Sequence, residues 1–167
     1  NTEKQRKIIS TILPLALSSK FETIQKKTVQ VVCNYPTVLK DVLPALRLSS
    51  DTTVRFWTYF MLVELSLIAQ EELVEVVNSR ENDEIRRLAL EALGKKPSKE
   101  MVLLMLDKIS DPSWIIRKQA KNLLIGLGDG IYQIIQEFFM TCPSRQKYDC
   151  IKLIPLILKD KTFTLFQ

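Results

Sequence analysis

The chain has 167 residues, of which 46% are hydrophobic and 26% charged, a balance typical of a globular domain rather than a disordered or membrane protein. Glycine (4 residues) and proline (7 residues) are both scarce, which argues against sandwiches and barrels with many tight turns. The formal net charge is +5 and histidine is absent, so the commonest general base and the commonest metal ligand are missing.

A repeat of 30 or 31 residues runs along the chain. An apolar residue followed by arginine, with a small residue three positions later, occurs at Arg55, Arg86 and Arg117. Weaker copies are centred on Gln25 and Lys147. A second series of apolar stripes lies between these segments, so each repeat is predicted to be a pair of helices joined by a short polar turn.

We therefore expect an all-α chain of five helix pairs that form one repeat domain over 1–167. The predicted repeats cover 6–34, 35–69, 70–96, 97–128 and 129–159. The remaining residues, 160–167, are expected to form a partial cap or a poorly ordered stub. Both ends of the chain read as cuts through a larger protein.

Local signals mark several predicted helix boundaries. Asp111 followed by Pro112 predicts an N-cap with proline at the first helical position. The glycine-rich stretch Gly126–Gly130 follows a predicted helix, whereas a phosphate-binding loop of the dinucleotide type must follow a strand. This stretch is therefore predicted to be a helix end and a turn.

The three cysteines show no metal-ligand spacing and are predicted to be reduced thiols. Cys33 and Cys150 are expected to be buried, and Cys142, just before Pro143, to be exposed. No metal and no cofactor is predicted. No apolar run approaches the ~18 residues of a membrane helix and the sequence shows no signal-peptide pattern, so the segment is expected to be cytoplasmic and not to insert into a membrane. A membrane-anchored parent chain, with targeting signals outside this segment, is the alternative.

Two segments carry a resemblance to a known family. The sequences NDEIRRLALEALG and DPSWIIRKQAKNLLIGLG, which begin at Asn82 and Asp111, resemble the second helix of HEAT repeats. The period is shorter than the ~40–47 residues usual for HEAT and armadillo repeats and resembles the compact HEAT-like repeats common in bacterial proteins. The resemblance implies a right-handed α-α superhelix, an α-solenoid of about five helix pairs.

In such a stack, the recurring arginines Arg55, Arg86 and Arg117 are expected to lie at one height. They are predicted to form a structural ladder with acidic residues of adjacent repeats. The candidate partners are Asp51, Asp83 and Asp111.

The second repeat departs from the others because its second helix is rich in aromatic residues. With Val54, Thr58, Met61 and Leu62 facing the core, Phe56, Tyr59, Phe60 and Val63 turn to the opposite side. The resemblance implies that this side lines the concave surface. Basic residues are predicted to border the patch and orient a partner, namely Lys26, Arg87, Lys118 and Lys121.

Two interpretations of these aromatics remain open. A further repeat or partner domain covers them, or they form a docking site, since apolar patches with polar rims mark interfaces. Trp57 and Trp114 are expected to pack between repeats.

The leading functional hypothesis is a non-enzymatic scaffold that binds a peptide or partner domain on its concave face. The first alternative is nucleic-acid binding, with base excision as in DNA glycosylases of HEAT-like fold, for which Glu64 and Glu91 are the candidate carboxylates. Residues 51–100 carry a net charge of −3, which interrupts the basic stripe that a nucleic-acid binder needs. The second alternative is an accessory subunit of an enzyme complex, as in HEAT-like phycobilin lyases.

Overall fold

The computed structural model describes residues 2–95 and 97–157, and every regular element within these ranges is helical. The prediction of an all-α chain is confirmed. The helices are α1 (Thr2–Leu17), α2 (Glu22–Val32), α3 (Pro36–Leu46), α4 (Thr52–Glu64), α5 (Gln70–Asn78), α6 (Asp83–Gly94), α7 (Lys99–Lys108), α8 (Trp114–Leu127), α9 (Tyr132–Thr141) and α10 (Ser144–Ile157). Each predicted repeat holds two of them, and the predicted cap over 160–167 lies outside the described residues.

Polar side chains cap several of the helices. The carboxylate of Asp51 accepts from the amides of Thr53 and Val54 at the start of α4. Asn82 and Ser98 accept from amides in the first turns of α6 and α7 in the same way. These caps satisfy backbone donors that have no partner within the helix, so they fix where each helix begins.

The start of α8 differs from the prediction. Its N-cap is Ser113 and its first residue is Trp114, two positions later than the Asp111–Pro112 signal indicated. The Asp111 carboxylate accepts from the Ser113 amide at 2.9 Å and also holds an arginine, so its interactions lie in the turn before the helix. At the other end, Gly128 ends α8 with φ of 65°, in agreement with the predicted helix end and turn.

Inter-helix packing divides the chain into two compact units, residues 1–76 and 77–167, and α5 crosses from one to the other. In the first unit, α1 packs against α2 and α3, and α4 packs against α1, α2 and α3. The core consists of large aliphatic side chains that are fully buried, with Thr58 donating to the Val54 carbonyl. They include Leu13, Leu17, Leu39, Leu43 and Met61.

In the second unit, α8 packs against α6, α7 and α10, and α9 packs against α7 and α10. The repeated apolar and small positions meet in this core, since Ile85, Ala89, Ile116 and Ala120 are all buried. A small residue at the third position after the arginine allows neighbouring helices to approach closely. Gly94 shows the tightness of this packing, because a Cβ added there would meet the Leu123 side chain at 2.6 Å.

The cysteines differ in part from the prediction. Cys150 is buried as expected, but Cys33 is only half-buried, and Cys142 is buried rather than exposed. Burial raises the pKa of the Cys150 thiol to about 12, and the nearby Cys142 adds to the shift. Cys142 is therefore turned inward toward Cys150 although it precedes a proline.

None of the helices in 2–95 and 97–157 is both long and apolar enough to span a membrane. The same ranges hold no group of three or more His, Cys, Asp or Glu side chains arranged to bind a metal ion.

Candidate functional site

The recurring polar position of the repeat has a local structural role. Gln25, Arg55 and Arg117 each donate to the backbone carbonyl six residues earlier, at 2.6, 2.8 and 2.7 Å respectively. These carbonyls lie in the turn between the two helices of a pair. The repeated side chain thus holds the turn against the second helix and supplies hydrogen bonds that the turn lacks.

Arg86 occupies the same position but binds differently. It donates to the Val77 carbonyl at 3.0 Å and to both carboxylate oxygens of Asp111, at 2.6 and 3.4 Å. Asp83 accepts a further hydrogen bond at 3.2 Å. Burial opposes the charged form, but the hydrogen bonds and charges of Asp111 and Asp83 raise the pKa of the Arg86 guanidinium above its ordinary value.

The structure brings Arg86, Asp83 and Asp111 together, whereas Asp51 caps α4 and Arg117 donates to the backbone of Asp111 and Pro112. These residues therefore hold turns and helix starts together.

The aromatic residues of α4 form a cluster centred on Trp57. The Phe56 and Phe60 rings both lie 5.4 Å from the Trp57 ring in edge-to-face arrangements. Trp57 is buried, and its indole N–H donates to Gln25 Oε1 at 2.9 Å. This bond joins α4 to α2 and agrees with the expectation that Trp57 packs between repeats.

Tyr59 was expected to be part of the same patch, and this expectation is wrong. Its side chain is buried, and the guanidinium of Arg47 lies 5.4 Å from its ring. Arg47 in turn donates to Glu72 at 2.6 Å. One residue corresponds to 100° around a helix, so Tyr59 faces the end of α3 while Phe60 faces α2.

An open groove of about 520 Å³ lies between α2 and α4 in the first unit. Trp57 and Phe60 form one side, and Val29 and Cys33 form the other. Most of its surface is therefore apolar. The remaining lining residues stand at the rim and end of the groove, and they are Lys26, Gln30, Glu64 and Leu65.

Charges of both signs border this groove. Lys26 is exposed and pairs with Glu22, one turn earlier on α2, at 2.8 Å. Burial raises the pKa of the Cys33 thiol above its ordinary value, and the negative charge of Glu64 raises it further. Cys33 is thus a neutral, weakly polar group at neutral pH, so it serves as part of the apolar wall rather than as a nucleophile.

The other predicted basic residues lie in the second unit and do not line the groove. Arg87 donates to Glu84 at 2.8 Å and to Glu91 at 2.9 Å, so its charge is already paired on α6. Lys118 lies 5.8 Å from the Trp114 ring, and Lys121 is half-buried on α8.

The expectation that Trp114 packs between repeats is wrong, since 62% of it is exposed. Trp114 is the first residue of α8, and its ring lies along the surface under the ammonium group of Lys118, one turn later. A lysine placed over an indole face interacts favourably with its π-electrons, which gives the exposed ring a local partner.

Of the predicted site residues, Lys26 and Phe60 line the groove, whereas Phe56 does not. Val29, Cys33 and Leu65 line it without having been predicted. Val29 and Cys33 are four residues apart and face the same side of α2, which is the only sequence signal that they share. A groove between two helices depends on the distance between their axes, and no helix pattern specifies that distance. No protein-family model and no curated protein sequence matches this chain.

Proposed function

We propose that the chain is a HEAT-like α-solenoid, a right-handed superhelix of five helix pairs, that acts as a non-enzymatic scaffold for protein–protein interaction. It binds an apolar side chain of a peptide or partner domain in the groove between α2 and α4. The observation that carries this proposal is the open, largely apolar groove beside Trp57 and Phe60. An apolar concavity with a polar rim is the surface on which a partner's anchor side chain gains most from desolvation.

The pattern of helix contacts supports a repeat stack within each unit. α2 packs against α4 in the first unit, and α6 against α8 and α8 against α10 in the second. In these three cases the second helix of one pair meets the second helix of the next pair in the same unit. This nearest-neighbour packing is what an α-solenoid requires, because one helix pair cannot bury its own apolar face.

The dimensions and charges of the groove favour a peptide-like ligand. Its volume of about 520 Å³ is within the range of ~300–1,000 Å³ for ligand sites. Phe60 is only half-buried, so a bound apolar side chain would cover the part of its ring that now faces water. Lys26 and Glu64 on the rim can orient a partner through its own charges.

The test uses a displayed library of random peptides, selected on the wild-type chain. Peptides that share an apolar anchor are then titrated against Gln30→Trp, because Gln30 is an exposed rim residue whose replacement fills the groove without removing core. The matched control is Lys27→Trp, which adds the same side chain at an exposed position of α2 outside the groove.

We expect Gln30→Trp to weaken peptide binding by at least about tenfold, which is ~1.4 kcal/mol, and Lys27→Trp to leave it unchanged. Circular dichroism should show the same helix content for all three proteins. Equal affinity for the two variants, or selection of no peptide with an apolar anchor, would contradict the proposal.

One observation favours a second candidate function, the excision of alkylated DNA bases. Glu64 lies beside Trp57 and Phe60 in the groove, and a base-excising enzyme needs a carboxylate next to aromatic side chains. The experiment measures release of the modified base from DNA that contains one 3-methyladenine, with Glu64→Gln as the control. Release that depends on Glu64 would favour this function, and no DNA binding at low salt would exclude it.

A further inference from the structure

A second apolar surface lies on the first helix pair, on the side of α2 away from the groove. Ile8, Ile12 and Leu15 are exposed along one stripe of α1, and Ile24 and Val31 along one stripe of α2. These residues are spaced three, four and seven positions apart, so each set lies on one helix face. Large aliphatic side chains grouped in this way on neighbouring helices favour an interface over isolated exposed residues.

The second helix pair shows what such a surface does when it has a neighbour. Thirty residues later in the repeat register, Ile12 corresponds to Val42 and Ile24 to Val54. The exposed fraction falls from 55% at Ile12 to 6% at Val42, and from 46% at Ile24 to 2% at Val54. Two further exposed positions of the first pair, Ile8 and Val31, likewise correspond to the buried Val38 and Met61. Leu15 is the exception, since its counterpart Ala45 is exposed, so Leu15 lies at the edge of the surface that a neighbour covers.

The neighbours of α1 and α3 explain this difference. α1 packs against α2, its partner within the pair, just as α3 packs against α4. α3 has an additional neighbour, α1, which belongs to the preceding pair. Among the described residues, the position that α1 occupies beside α3 is not filled beside α1 itself, and the exposed stripe is the face that such a neighbour would cover.

The burial pattern and the register together indicate what covers this face. We propose that the exposed stripes of α1 and α2 are a stacking surface that takes one further helix pair of the same repeat type, joined in series on the N-terminal side of α1. The interface would continue the packing already present between the first and second pairs. The inference rests on the repeat architecture proposed above but not on peptide binding in the groove between α2 and α4.

A second copy of the chain fits this surface less well. A symmetric dimer through this face would place exposed lysines of one copy, such as Lys4 and Lys27, opposite the same lysine-bearing face of the other copy. Like charges facing each other across an interface oppose association. The surface therefore favours a tandem repeat over a symmetric dimer.

The experiment adds the missing neighbour in register. In the fusion, residues 1–35 are followed directly by residue 6 and the rest of the chain. Residue 36, the first residue of α3, corresponds to residue 6 in the repeat register. The junction therefore reproduces the native turn that precedes α3. A cysteine replaces Val31 in the receiving pair only, and its labelling by maleimide is followed by mass spectrometry with peptide fragmentation, which distinguishes position 31 from Cys33 on the same peptide. The reference is the unfused chain with Val31→Cys, and Lys40→Cys on the exposed side of α3 is the control site.

We expect the added pair to slow labelling at position 31 by at least about tenfold and to raise Tm by ~4 °C or more, without change at position 40. Ile12→Lys together with Ile24→Lys in the receiving pair should abolish both effects. An unchanged labelling rate would overturn the proposal. So would a dimer of the unfused chain that Ile12→Lys dissociates, because the occupant would then be a second copy. Peptide affinity of the fused protein, measured separately, shows whether the groove still functions.

Discussion

The same face of the second helix of a pair carries different side chains in the two units. In the first unit, Lys26 on α2 and Phe60 on α4 border an open apolar groove. In the second unit, the matching face of α6 carries Arg87 and Glu91, which bind each other at 2.9 Å. A surface of charged side chains offers a ligand little apolar area to cover, whereas an apolar groove favours any side chain that displaces water from it. The proposed binding would therefore depend on particular side chains of one helix pair and not on the helix pairing that both units share.

The two tryptophans give the largest expected difference between the units. Trp57→Ala should lower the free energy of unfolding by about 3–5 kcal/mol, because it removes a buried ring and its hydrogen bond to Gln25. Trp114→Ala should change it by no more than about 0.5 kcal/mol, since that ring is exposed. Urea unfolding followed by circular dichroism measures both. Similar losses for the two variants would contradict the assignment of one ring to the core and one to the surface.

The ion pairs of the second unit give the next largest effect. Asp111→Asn should cost about 2–4 kcal/mol, because the Arg86 charge would lose its bidentate partner at a site where both side chains are nearly buried. Glu84→Gln is the surface control, since Glu84 pairs with Arg87 where water screens the interaction, and it should cost about 0–1 kcal/mol. If urea unfolding showed the same loss of unfolding free energy for both variants, burial would not strengthen the contribution of the Asp111–Arg86 pair.

A smaller, pH-dependent effect belongs to the first unit. The pKa of Asp51 lies below its usual value, mainly because Ser18 donates a hydrogen bond to the carboxylate. Slight burial opposes this shift, and the amides of Thr53 and Val54 add to it. The contribution of Asp51 should therefore be present above about pH 4 and be lost as pH falls through the lower pKa of the folded state. Asp51→Asn keeps a capping side chain but removes the carboxylate, so it should cost under about 1 kcal/mol at pH 7. The difference between the unfolding free energies of the two proteins should disappear as pH falls below the lowered pKa of Asp51, and a difference that stays constant with pH would contradict the assignment.

The smallest expected effect tests the groove wall. Burial, and then the charge of Glu64, raise the pKa of the Cys33 thiol. Glu64→Gln should therefore speed alkylation of Cys33 at pH 8 by about two- to threefold, because more thiolate is present. Glu71→Gln, an exposed carboxylate on α5, is the control and should leave the rate unchanged. If Glu64→Gln left the alkylation rate of Cys33 unchanged, the Glu64 carboxylate would not act on the Cys33 thiol.

The helices could be predicted well from the sequence, but the surroundings of individual side chains could be predicted only in part. Residues assigned to the core face of α4, such as Val54 and Met61, are buried, because one apolar stripe of regular period has one way to face inward. The aromatics of α4 lie on several faces at once, so periodicity could not distinguish Tyr59, which is buried under Arg47, from Phe60, which borders the groove.

Short-range signals were misleading where a side chain had a distant partner. Asp111 matched the pattern of an N-cap, but its carboxylate binds Arg86, 25 residues earlier, and Ser113 takes the N-cap position. Cys142 precedes a proline and was predicted to be exposed, yet it is buried near Cys150. Contacts between residues far apart in sequence decide such cases, and a single sequence does not contain them.

The most direct test of the central claim is a chemical-shift titration of the isotope-labelled chain with a peptide selected on it. We expect amide shifts to change most at Val29, Cys33 and Phe60, which line the groove, and Gln30→Trp to abolish these changes. Shift changes centred on Arg87 and Lys118 in the second unit would contradict it, because that surface would then be the binding site.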